Sequence, residues 1–151
     1  MSFLNKVKGA FNSGREELTK QVSRFKNKKF MQGTVAVCAR IAVSSDGVSA
    51  DEKQKMIGFL RNSEELKVFD TAEVIEFFNK LVASFDFDIE VGKGETMKYI
   101  LALKDQPEAA QLAIRVGIAV GKSDGNFDAD EQNAVREIAV ALGFDPTIFG
   151  L

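Results

Sequence analysis

The sequence predicts an all-α protein, and three observations carry that prediction. Apolar residues recur at three-, four- and seven-residue spacing along most of the chain, only two prolines interrupt its 151 residues, and no segment alternates long enough to specify a paired strand. Thirteen phenylalanines and a 45% apolar content are enough to fill one core, either as a single well-packed unit or as two small, intimately packed halves. Two independent domains would need a longer chain. The periodicity divides into about seven or eight helices, with a basic amphipathic segment over residues 1–25 and a helical domain over 26–151.

In the first element Leu4, Val7, Phe11, Leu18, Val22 and Phe25 fall on a helical period, with Lys6, Lys8, Arg15, Lys20, Arg24, Lys26, Lys28 and Lys29 between and after them. Gly9 and Gly14 weaken it as an autonomous helix, and Ser13-Gly14 interrupts it. Residues 1–32 hold eight Lys/Arg against two Glu, whereas the remainder holds twelve against twenty, so the chain is electrically polar along its length. A basic amphipathic segment suits an anionic membrane surface or an acidic partner. Equally, its apolar stripe can pack on its own domain while the lysines solvate the outside. No nucleic-acid reading motif accompanies these cations and the rest of the chain is acidic, so nucleic acid is not an expected partner.

Residues 31–44 are small and apolar on nearly every face, which predicts a helix buried from several sides. A helix over 50–62 follows, with Met56, Ile57 and Leu60 inward and Lys53, Lys55 and Arg61 outward. The next starts near Thr71, capped by Asp70 or Thr71, and presents Val74, Ile75, Phe77, Phe78, Leu81 and Val82. Residues 84–90 alternate in the manner of a strand, yet no second strand is evident to pair with them, so they are read as a helix junction. A helix over 95–104 precedes Asp105-Gln106-Pro107, a cap with proline in the first turn of the helix over 108–122. That helix is the small-residue counterpart of 31–44. The last helix runs from 129 to about 142 and stops at Gly143, and Asp145-Pro146 opens a closing turn.

One acidic motif appears twice. Asp46-Gly47-Val48-Ser49-Ala50-Asp51-Glu52 and Asp124-Gly125-Asn126-Phe127-Asp128-Ala129-Asp130-Glu131 each follow a small-residue helix and lead into an amphipathic one, so the bundle reads as internally duplicated. Asp-Gly reverses the chain, Ser49 and Asp128 are helix caps, and a glutamate three residues on completes a capping box. Val48 and Phe127 stand where a hydrophobic staple would. The second copy carries one extra residue.

Histidine is absent and Cys38 is the single cysteine, so Ser-His-Asp, Cys-His and zinc-protease arrangements are excluded. Cys38 lies in the apolar run Val35-Ala36-Val37-Cys38-Ala39 and reads as a small buried hydrophobe, a poor site for thiol chemistry. The start of the chain has no continuous apolar signal core, and no run reaches the length of a membrane span, which leads us to expect a cytoplasmic protein.

Around both turns the chain resembles the TerB family of tellurite-resistance proteins, through MSFLNKVKGAFNSGREELTKQ, KNKKFMQGTVAVCARIAV, the two Asp-Gly…Glu turns and the closing LGFDP. The resemblance implies an all-helical duplicated fold and a part in a bacterial stress system that confers resistance to tellurite, phage and certain colicins. It also implies metal binding through the acidic turns, and work with an integral membrane protein of that system at the cytoplasmic face of the inner membrane.

Carboxylates and loop carbonyls suit a hard divalent cation, calcium above all, which takes six to eight oxygens and needs no histidine or cysteine. Asp124-x-Asn126-x-Asp128 has that character, but Ala129 stands where an EF-hand needs glycine and Val135 where it needs the bidentate glutamate. The expected metal set is therefore Asp46, Glu52, Asp124, Asp128 and Glu131, with Asp51 and Asp130 as additional ligands. The alternative is purely structural, because each of these residues also closes a turn, caps a helix or favours a helix start without any metal. The expected function is a non-enzymatic, cation-binding helical adaptor. The alternative enzyme is a divalent-metal-dependent hydrolase using paired carboxylates, which would need an open coordination position and a substrate pocket.

Overall fold

The computed structural model describes residue 20 and residues 27–43, 54, 57–58, 61–62, 66–122 and 127–151. Among these residues the chain forms five α-helices: α1 (Lys28–Ala42), α2 (Thr71–Phe87), α3 (Ile89–Leu101), α4 (Pro107–Lys122) and α5 (Ala129–Ala141). A 3-10 turn at Pro146–Phe149 closes it, and no strand occurs among the described residues. The all-α expectation holds. Residues 54, 57, 58, 61 and 62 are helical where the sequence predicts the helix over 50–62, and Ile57 packs against the core. The basic segment over 1–25 lies outside the described residues except for Lys20, which is helical and exposed. Five of the expected seven or eight helices are thus described in full.

α1 is the hub of the bundle. Asn27 opens it by accepting the Phe30 N–H at 2.8 Å, so it begins three residues before the apolar run that announces it. Its residues are buried on nearly every face because α2, α3, α4 and α5 all pack around it. Two glycines set how close the helices come. A methyl group at Gly33 would stand 2.5 Å from Leu103 Cδ1, and one at Gly117 on α4 would stand 2.5 Å from Val37 Cγ1. The two small-residue helices, α1 and α4, therefore lie directly against each other.

The alternating segment is a helix junction, and one residue makes it. Asp88 donates its N–H to Ser84 O to close α2, while its carboxylate accepts from the N–H groups of Glu90 and Val91 to open α3. α3 consequently starts at Ile89, six residues ahead of the expected 95. Gly92 and Gly94 hide that start in the sequence, since each lowers helix propensity by about 1 kcal/mol. Gly92 is required by packing, as a methyl group there would come within 2.3 Å of the Phe85 ring. Phe77 and Tyr99 then lock α2 to α3 edge to face, with ring centroids 4.9 Å apart.

The caps expected at Asp70 and Asp145 and the start expected at Pro107 are found. Asp70 accepts the Glu73 N–H at 3.0 Å, Pro107 begins α4, and Asp145 holds the Thr147 N–H at 2.9 Å. α5 ends in a Schellman arrangement: Gly143 takes φ of 87°, its N–H reaches Val140 O, and Phe144 N–H reaches Ala139 O.

Candidate functional site

Among the described residues of the second acidic turn, Phe127 to Glu131 lead into α5 beside the C-terminal end of α4. Asp128 is extended at φ −80° and ψ −179°, and its Oδ1 accepts the Glu131 N–H at 2.9 Å. This is the predicted cap. The predicted staple does not form, because the residue one turn in from Phe127 is Gln132, and Gln132 donates its side-chain amide to the Phe127 carbonyl at 3.1 Å. A polar hook replaces the apolar clasp. The Phe127 ring instead packs inward over Gly121, with the Lys122 ammonium 5.6 Å from the ring centre.

Glu131 faces the same glycine. Its Oε2 lies 3.4 Å from where a Cβ would stand on Gly121, and Ile41 Cγ2 and Phe127 Cδ2 both lie 3.3 Å from that point. Glu131 is half-buried beside the last turn of α4, the end of that helix that carries the negative pole of its dipole. Asp128 stands exposed beside it. Negative charge is thereby gathered at one helix end and the next helix start.

Of the expected metal set, Asp128 and Glu131 come together here, while Asp46, Asp51, Glu52 and Asp124 lie outside the described residues. Among the described residues, no group of three or more acidic or thiol side chains is placed to hold a metal. Asp130 points elsewhere and lines a cleft of about 190 Å³ between the end of α1, the α2–α3 junction and α5. The floor of that cleft is Val43, Phe85, Ile89 and Ala134, and its polar rim includes Arg40, Lys93, Asn133 and Glu137. Arg40 donates to Glu137 at 2.7 Å with its side chain only 10% exposed. Sequence reasoning missed this pair. Its signal was Arg40 itself, the one charge inside an apolar run, but its partner lies 97 residues away.

Of the basic residues expected to meet a membrane or partner, Lys20 and Lys28 are exposed, and Lys29 reaches Asp105 at 3.3 Å. Lys6, Lys8, Arg15, Arg24 and Lys26 lie outside the described residues. Cys38 is buried in the core, at 1% exposure. No helix among the described residues is long and apolar enough to cross a membrane.

These features define a small all-helical protein whose polar chemistry sits at helix junctions around an α1–α4 core. The family model for tellurite resistance protein TerB matches residues 31–151, and the chain belongs to that family. It is also similar to the tellurium resistance protein TerB of an Alcaligenes species, at 87% identity over 118 residues, covering 78% of this chain and 97% of the relative. No solved structure matches it.

Proposed function

We propose that this protein serves tellurite resistance as a non-enzymatic adaptor, binding a divalent cation through its acidic turns and acting at the cytoplasmic face of the inner membrane. The observation that carries the reading is the position of Glu131. Its carboxylate lies beside the last turn of α4, with the Asp128 carboxylate at the adjoining helix start, so two oxygen donors of the kind a hard cation takes stand at one helix junction.

Calcium fits this chemistry best, since its ligand shell tolerates loop carbonyls and irregular geometry. Asp124 belongs to the same loop and would join Asp128 and Glu131, with Asp130 as an additional ligand. Asp46 and Glu52, with Asp51, would form the equivalent half of a duplicated site. The direct packing of α1 on α4 supports that duplication, because it draws together the two helices that lead into the turns. The basic segment over 1–25 would contact anionic lipid or an integral membrane protein of the resistance system. Tellurite, an oxyanion, would be repelled by these carboxylates, so resistance would follow from assembly or signalling and not from capture of the toxicant.

The test is native mass spectrometry of the full chain with calcium, magnesium, zinc and manganese, repeated on Asp46→Asn and Asp124→Asn. Saturable binding of one or two ions, lost in the variants, is expected. Absence of binding at millimolar calcium would leave the turns as helix caps and overturn the cation reading.

A further inference from the structure

The cleft between the end of α1, the α2–α3 junction and α5 carries two cations, Arg40 and Lys93, and two anions, Asp130 and Glu137. Their burial is unequal. The Arg40 side chain is 10% exposed and that of Lys93 41%, whereas Glu137 is 59% exposed and Asp130 also stands in solvent. Water screens the two carboxylates more than the two cations, so positive charge prevails inside the cleft.

Three side chains there have donors to offer an occupant. Arg40 gives Glu137 one hydrogen bond from Nη2 and makes no other among the described residues, although a guanidinium holds five N–H donors. None of its nitrogens is sealed from solvent without a partner, and the cleft is open space that Arg40 borders. Asn133 accepts from Arg136 at Oδ1, 2.6 Å away, which leaves its amide NH2 as a donor. The Lys93 ammonium stands 3.9 Å from Glu90, too far for a hydrogen bond.

We propose that this cleft binds a small organic monocarboxylate, with the carboxylate on Arg40, Asn133 and Lys93 and the apolar body on the floor formed by Phe85, Ile89 and Ala134. A planar guanidinium matches a carboxylate edge to edge. One negative charge suits the site, because Glu137 and Asp130 at the rim oppose a second. The volume of about 190 Å³ falls below the roughly 300–1,000 Å³ of sites for drug-sized molecules and exceeds the roughly 150 Å³ that takes a benzene ring. The body is therefore a single ring or a branched aliphatic chain. Phe85 and Ala134 are buried, at 5% and 2% exposure, so the packing of the helices forms the floor before any ligand enters. The site does not depend on a cation at the acidic turns.

Titration of the full chain with benzoate, benzyl alcohol and benzylamine, followed by backbone amide chemical shifts, tests this. Benzoate should bind saturably with Kd on the order of a millimolar, moving the amides of Ile89, Lys93, Asn133 and Ala134, and benzyl alcohol about tenfold more weakly. Arg40→Gln should weaken benzoate at least about tenfold, and Lys93→Gln about threefold. Glu137→Gln, which keeps Arg40 and removes its competing carboxylate, should tighten benzoate about threefold and decides the matter if Arg40→Gln fails to fold. No saturable binding at tens of millimolar benzoate overturns the proposal. So does equal affinity for benzyl alcohol, tighter binding of benzylamine, or weaker binding of benzoate in Glu137→Gln.

Discussion

Gly117 and Gly121 stand one turn apart on α4 and serve different ends. At Gly117 the missing side chain admits Val37 and Ile41 of α1, and the contact is wholly apolar. At Gly121 the space is shared by Ile41, the Phe127 ring and the Glu131 carboxylate. Over one helical turn the surface of α4 passes from closed core to the edge of a polar site. The comparison shows what a small-residue helix does at this end of the bundle: it lets α1 come close to α4, and Glu131 in the first turn of α5 lies beside the last turn of α4.

The firmest way to break the comparison is Gly117→Val. Val37 is β-branched and cannot rotate out of the way, so the fold should lose about 2–3 kcal/mol in urea denaturation. An undiminished midpoint would mean that the α1–α4 contact is looser than described. A smaller effect is expected from Glu137→Gln, which leaves Arg40 buried beside a neutral partner. Because Glu137 is 59% exposed, water moderates the loss to about 1 kcal/mol. Thr34 in α1 has a buried hydroxyl without a hydrogen-bond partner, and Thr34→Val should raise stability by up to about 1 kcal/mol, measurable as a higher melting temperature.

Gly121→Ala sharpens the contrast, since a helix-propensity gain of about 1 kcal/mol offsets the crowding of Phe127 and Glu131. Stability should stay nearly level while calcium affinity falls, a separation that Gly117→Val cannot produce. The smallest effect concerns Asp145, whose carboxyl is held below its ordinary value of 3.8 by hydrogen bonds from the Thr147 backbone and hydroxyl. A lowered folded-state value means that its contribution is complete above pH 3.8 and fades as pH falls through the folded value. Loosening of the C-terminal turn should therefore appear only in strongly acidic solution, as a chemical-shift change at Thr147.

Much of this fold was legible in local chemistry. Asp70, Pro107, Asp128 and Gly143 mark helix ends by rules that act within four residues, so they could be read in order along the chain. α3 was not, because glycines that pack against Phe85 or leave an open outer face look the same in sequence as glycines that break a helix. The Phe127 staple failed for a local reason as well: Gln132 offers an amide where an apolar residue was needed. The Arg40–Glu137 pair and the lean of Glu131 over Gly121 depend on tertiary approach, which no periodicity encodes. The Asp128 cap was visible, whereas whether its carboxylate also coordinates rests on charge and not on position.

Asp128→Asn separates those two roles. Asparagine caps a helix about as well as aspartate, so the hydrogen bond to Glu131 N–H survives while the charge is removed. Urea denaturation of the wild type and of this variant, each with and without calcium, tests the central claim most directly. The account predicts equal stability without calcium and a calcium-dependent rise in the wild type that the variant loses. A variant that is less stable without calcium, in a protein that calcium leaves unchanged, would contradict it.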